Sequence, residues 1–308
     1  MSIEIEKSIR IKSINPEQSM AGAHFFNSSQ FLLNKNYPVK GWQLIKENPI
    51  AQIFFYIEND IAISGYQSTF GSFDLAKEVS KNELQWFINN IINECKALGV
   101  KKIKIKNYPS YFNSAILIEK SLVKSGFTTN VTEVNQHIVV DNPSFYDVAK
   151  RNEVRRSDKC KTAGFRFEIA TIDILPVIYK LIESTLLRKG NKVSMSFEEL
   201  EKSIRNSYNR YVLFTLWNDE ILVASTVSIK INESVLYNFY HANHQDYTLY
   251  SPLTYLLKNI YCYCLEHKFK ILDLGISTVN GLLNEGLFHF KKSRGAITSD
   301  KKVFQFTI

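Results

Sequence analysis

His241 and His244, flanked by Tyr240 and Tyr247 at the end of a β-rich run, carry the side chain most readily tuned to take a proton near neutral pH. Such a group suits a reaction in which a nucleophile sheds a proton. The plainer reading of each is a surface histidine at a loop, with water carrying the proton. Earlier in the chain, Arg151, Arg155 and Arg156 fall within two helical turns, and Arg151 and Arg155 share a face at i, i+4. That spacing suits a bidentate grip on phosphate. Glu153 and Asp158 stand among the arginines, so a salt-bridged surface helix fits as well.

The four cysteines, Cys95, Cys160, Cys262 and Cys264, include one close pair, C-Y-C, which is the spacing of neither a disulfide framework nor a zinc site. Reduced structural thiols and no metal are expected. The net charge of +8 draws anionic partners such as nucleotides, CoA phosphates or tRNA, and serves solubility just as well. No apolar run reaches the ~18 residues that a membrane helix needs. The start, MSIEIEKSIRIKS, alternates charge with apolar residues where a signal peptide would be apolar. A cytoplasmic protein without a membrane span is expected.

The elements that must position these residues come in two similar sets. Leu84, Phe87, Ile88, Ile91, Ile92, Cys95 and Leu98 form one face of a helix that stops at Gly99 and leads into the strand-like KKIKIKN. Leu253, Leu256, Leu257, Ile260 and Cys264 repeat the stripe before KFKILDLGI. Leu84 and Leu253, Ile91 and Ile260, Cys95 and Cys264, Ile105 and Leu274, and Gly126 and Gly295 are each 169 positions apart. A constant offset over helix, strand, helix and turn indicates a duplication. Strands over 52–57 and 61–65 precede the first helix, and strands over 211–217, 221–229 and 235–241 precede the second.

Each half therefore reads as strands, helix, strand, helix, strand: an α+β fold with a mixed, mostly antiparallel sheet flanked by helices. A chain of 308 residues is long for one core, and two domains are expected, 1–143 and 144–308. Between the halves lies a basic helix closed by Gly164. A further amphipathic helix carries Ile174, Val177, Ile178, Leu181 and Ile182, and Ser196 with Glu199 signals a capping box.

This order of elements resembles the FemABX family and its tandem-GNAT relatives over nearly the whole chain. The resemblance rests on Ser68-Thr69-Phe70-Gly71-Ser72-Phe73, on Arg151, Arg155, Arg156, Lys159 and Gly164, and on Leu187-Arg188-Lys189-Gly190 followed by SFEEL. It also rests on Tyr250-Ser251-Pro252, on the strand 271–275 and on Phe290-Lys291 running into Arg294-Gly295.

The resemblance implies two tandem GNAT-like domains and transfer of an acyl or aminoacyl group from acyl-CoA or aminoacyl-tRNA, used as co-substrate, to an amine acceptor. No tightly bound cofactor and no DNA partner are implied. Lys291 would stabilise the oxyanion or engage the donor phosphate, unless it is a solvated helix lysine beside Lys292. Asp74 would line the acceptor site, unless it caps a helix or loop. With His241 these are the catalytic candidates. Phe73, Arg151, Arg155, Tyr240 and Phe290 would contact substrate, and Tyr247, Tyr250 and Ser251 the donor, at the helix start whose amides favour anions. The loop 242–253 lacks the glycines of the GNAT phosphate signature, which tilts the donor away from CoA. The alternative is a degenerate tandem-GNAT protein that binds a ligand or partner without catalysis. Nucleic-acid binding through the 151–161 helix is a third reading, without a recognised motif to support it.

Overall fold

Alternation drives the first sheet. In the computed structural model, which describes residues 9–35 and 37–308, Ile103 and Ile105 of the KIKIK strand are buried while its lysines point to the other face. The reading of the chain's first eight residues lies outside the described part. The strands are β1 (Arg10–Ile14), β2 (Val39–Ile45), β3 (Pro49–Glu58), β4 (Ile61–Ser64), β5 (Asp74–Leu75), β6 (Lys102–Lys106) and β7 (Thr128–Val139). Among them lie α1 (Ser29–Leu32), α2 (Lys81–Ala97) and α3 (Ala115–Lys124). Ser80 and Glu83 form a capping box that starts α2, and its stripe Leu84, Phe87, Ile88, Ile91 and Cys95 is buried.

The remainder begins with three short helices, α4 (Phe145–Val148), α5 (Arg151–Ser157) and α6 (Lys159–Thr162), where the sequence suggested one basic helix. Gly164 closes the last of them at φ +75°. Then follow β8 (Arg166–Ala170), α7 (Leu175–Arg188), α8 (Phe197–Asn206), β9 (Tyr211–Asn218), β10 (Ile221–Asn232), β11 (Val235–Asn243), α9 (Pro252–Glu266) and β12 (Ile271–Ile276). The last elements are β13 (Thr278–Val279), β14 (Leu282–Leu283), α10 (Glu285–Lys292) and β15 (Ile297–Thr307). The Ser196–Glu199 capping box is present at α8.

Two compact units result, and they do not coincide with a cut at 143/144. The first takes the chain to Val134 together with Thr278–Leu282 and Ser299–Ile308; the second is Asn135–Ser277 with Leu283–Thr298. In the first, the order β1-β2-β3-β4-β6-β15 is antiparallel except for parallel β4 and β6. In the second, the end of β7 pairs antiparallel with β12, and β12 runs parallel to β11, which continues antiparallel through β10, β9 and β8. The end of β7 thus sits in the second repeat's sheet, and most of β15 in the first repeat's. The duplication is visible in the fold: moved by 169 positions, α2, β6, α3 and β7 fall on α9, β12, α10 and β15.

The core of the second unit joins Leu256, Leu257, Ile260 and Cys264 of α9 to Phe214, Val223, Leu236 and Leu272 of the sheet. The four cysteines are free thiols, Cys262 exposed and the other three buried. No helix of the described residues is long and apolar enough to cross a membrane.

Candidate active site in the second unit

Strands β11 and β12 start as neighbours and then separate. Their parallel ladder covers only Val235–Tyr237 against Ile271–Asp273. Beyond it β11 stays with β10, and a bulge there leaves Phe239 without a partner, because Val227 faces Tyr240 while Ser228 faces Asn238. One extra residue reverses the alternation of faces. Asn238 and His241, three apart, therefore line the same cavity with Thr226, the partner of His241 across the ladder. Leu274 of β12, Leu253, Leu257 and Ile260 of α9 and Phe290 and Lys291 of α10 complete its wall.

Lys291 is 2 % exposed, and its Nζ donates to the carbonyls of Gly275 at 2.9 Å and Ile276 at 2.8 Å, where β12 leaves β11. The solvated-lysine alternative is therefore excluded: α10 turns this residue inward and leaves Lys292 in solvent. Arg294 holds the same helix from behind. Its guanidinium stacks 3.8 Å from the Phe290 ring, donates to the Phe290 carbonyl at 3.0 Å and pairs with Glu153 at 3.0 Å.

His241 is held far below its ordinary value, at about 3, by burial first and then by the Lys291 and Lys189 ammonium groups. Its imidazole is therefore neutral throughout the neutral range, and the expectation of a base poised near pH 7 does not describe it. A neutral imidazole beside a buried ammonium can accept a hydrogen bond from an incoming amine, while the ammonium can donate to a carbonyl oxygen gaining charge.

Of the residues singled out in the sequence, this cavity gathers His241, Phe290 and Lys291. Tyr240 lies on the other face of β11, where its hydroxyl bonds Ser194 and burial raises its phenol. Tyr247 and Tyr250 fold their rings onto Phe165, at 5.8 and 5.2 Å between centroids, and so serve the core. Ser251 adopts φ +53° before Pro252 and makes no side-chain cap. Arg151 and Arg155 are exposed at α5, away from the residues that line the cavity.

Asp74 and Phe73 belong to the first unit. Phe73 is fully buried against Phe87, 5.7 Å between centroids, and is a core side chain. Asp74 is buried too, with every lone pair directed at protein donors: His24 Nδ1 at 2.5 Å and Tyr108 at 2.7 Å on one oxygen, Gln52 at 3.0 Å and Asn27 at 3.1 Å on the other. Burial alone would raise its carboxyl, but the His24 pairing and these hydrogen bonds outweigh it and hold the group below the ordinary carboxylate value. A carboxylate so occupied anchors the segment around residues 20–28 and does not offer a lone pair to a substrate.

Sequence reasoning missed Thr226, Asn238 and Leu274, and also Asp273 and Gly275 behind the lysine. Asp273 did carry a signal, a lone acid inside the apolar strand ILDLGI. Among the described residues no group of three or more His, Cys, Asp or Glu could hold a metal ion.

No family model and no curated protein matches the chain. Solved structures do. The crystal structure of FemX superposes with a TM-score of 0.75 at 12% identity, over 97% of this chain and 97% of that one. L-PGS from Bacillus licheniformis gives 0.63 at 10% identity, over 90% and 86%. A tandem GNAT protein from the clavulanic acid biosynthesis pathway, solved without AcCoA, gives 0.55 at 10% identity, over 97% and 98%. The chain has the tandem GNAT fold, in its FemX-like form.

Proposed function

We propose that the chain transfers an acyl or aminoacyl group from an activated donor to an amine, at the parting of β11 and β12 in the second unit. The observation that supports this most is Lys291, buried where β11 and β12 part and open a cavity, with a neutral histidine on the same wall. In this reading the acyl carbonyl lies beside the Lys291 ammonium. The neutral amine's lone pair attacks the carbonyl carbon, with one of its N–H bonds oriented by His241. A new C–N bond forms, negative charge gathers on the carbonyl oxygen near Lys291, and the bond to the donor's oxygen or sulfur breaks. The amine's proton passes to that leaving atom, directly or through water, because an imidazole titrating at about 3 is a poor place to keep it.

Leu253, Leu257, Ile260, Leu274 and Phe290 make most of the wall apolar, which favours an acyl group with a short, uncharged side chain. The donor is acyl-CoA or aminoacyl-tRNA. The rings of Tyr247 and Tyr250 packed on the core, in a loop without glycine, support an aminoacyl ester over a CoA pyrophosphate. Both donors are cytoplasmic metabolites, and the activity is placed there. The same filled loop also favours the second reading, a protein that binds its ligand without turnover.

A thermal-shift series with CoA, acetyl-CoA, UDP-sugars and bulk tRNA separates these readings, since a ligand that binds only the native state raises the melting temperature. Stabilisation by tRNA supports the aminoacyl donor, and stabilisation by acetyl-CoA the conventional one. No shift with either donor counts against transfer.

A further inference from the structure

Lys291 needs its two carbonyl acceptors aimed at it, and a regular strand would turn one of them into the sheet. We infer that Asp273 is a positioning residue for Lys291, its carboxylate fixing the left-handed turn at Gly275 that presents both carbonyls to the ammonium. Asp273 is buried, and its Oδ1 accepts the Gly275 N–H at 2.8 Å and Asn135 Nδ2 at 2.9 Å. Gly275 sits at φ +74°, a conformation in which an L side chain is strained. The β12–β7 ladder is irregular at the same point: Asp273 faces His137 but Ile276 faces Asn135, so β12 spends an extra residue there. The carbonyls of Gly275 and Ile276 leave the ladder and meet Lys291.

The duplication supplies an internal control. At the 169-residue offset, Asp273, Gly275 and Lys291 correspond to Lys104, Lys106 and Leu122. The first unit builds the same strand and helix without the three residues, and Leu122 is simply buried. This architecture therefore does not require the carboxylate, the turn or the lysine; all three occur together in the second repeat, beside the cavity that Lys291 lines.

The catalytic consequence rests on the proposed transfer reaction, but the positioning can be tested without it. The full chain is reductively methylated with formaldehyde and borohydride, and the rate at Lys291 is followed by peptide mass spectrometry. Losing a hydrogen-bonded support of a charged group is worth about tenfold or more, so Asp273→Ala and Gly275→Ala are expected to label Lys291 at least about tenfold faster than the wild type. The exposed Lys101 and Lys292 keep their wild-type rates. Asp273→Asn, which retains an acceptor for the Gly275 N–H, falls between. If Asp273→Ala does not fold, the other two variants carry the test. Wild-type labelling of Lys291 in folded Asp273→Asn and Gly275→Ala overturns the inference. In a transfer assay Asp273→Asn lowers kcat with the donor KM unchanged. Faster labelling in variants of a protein that shows no turnover with any donor would leave the positioning intact and sink the transfer reading instead.

Discussion

The Lys291 ammonium and the Gly275 carbonyl meet at 2.9 Å where β12 departs from β11, so a helix from one side of the cavity closes the gap that the strands open. A buried charge is costly unless it is hydrogen-bonded, and here backbone carbonyls supply the partners. That arrangement separates the lysine's effect on chemistry from its effect on folding.

Lys291→Met is expected to keep the fold and lose the chemistry. Replacing a buried charge by an apolar side chain of similar volume recovers desolvation, while two carbonyls lose a donor. The net change in stability should stay within about 2 kcal/mol by urea denaturation. Transfer should fall on the order of 100-fold or more, the usual cost of removing an oxyanion donor.

Gly295→Ala should destabilise far more than Gly99→Ala. Both glycines end helices at positive φ, +85° and +76°, but a Cβ on Gly295 would stand 2.5 Å from the Val148 carbonyl, whereas one on Gly99 meets nothing within 4 Å. Strain alone costs about 1–2 kcal/mol. Thermal or urea melts should show that loss for Gly99→Ala, and a total of about 3 kcal/mol or more for Gly295→Ala once the clash is added.

Asp74 makes the first unit acid-sensitive. Its carboxyl is held below the ordinary 3.8, so its stabilisation is present above that value and is lost as pH falls through the lower, folded one. Asp74→Ala should cost about 3 kcal/mol at pH 7, because it leaves His24 and three donors without their acceptor. Urea melts at pH 7, 5 and 3 should show the gap between wild type and variant closing only at the acid end. A constant gap would contradict the pairing.

His241 acts with the opposite kind of group but the same direction. A base whose folded value is about 3, against an ordinary 6.5, lets the unfolded chain take a proton first, so stability declines as pH drops from 6.5 toward 3. Relative to His241→Gln, the wild type should lose about 1.4 kcal/mol per pH unit in that window. Parallel stability curves would show that the imidazole is solvated. Transfer, for its part, should show no inflection from this histidine between pH 5.5 and 7.5.

The duplication, the stripes of α2 and α9 and the alternation of β6 were legible because helix and strand periods are written locally, and the structure has them at the same 169-residue offset. The exchange of β7 and β15 was not. Two repeats with the same pattern offer each last strand two equivalent partners, and only tertiary structure chooses. Phe290-Lys291 was found through resemblance, yet its burial could not be read, since α10 has no strong apolar stripe to say whether Lys291 or Lys292 faces inward. Asp74 was found for the same reason and turned out to be an anchor, because the four donors around it come from segments distant in sequence. The bulge at Phe239, which brings Asn238 and His241 to one face, leaves no mark in the residue types.

The most direct measurement is a radiolabelled transfer assay with wild type and Lys291→Met at matched folded concentration, offering acetyl-CoA and aminoacyl-tRNA as donors to a panel of primary amines. Labelled amide from the wild type with one of the donors, reduced about 100-fold or more in Lys291→Met, is the predicted result. Equal transfer by the two proteins would contradict the role of Lys291, and no transfer by the wild type with either donor would contradict the enzyme itself.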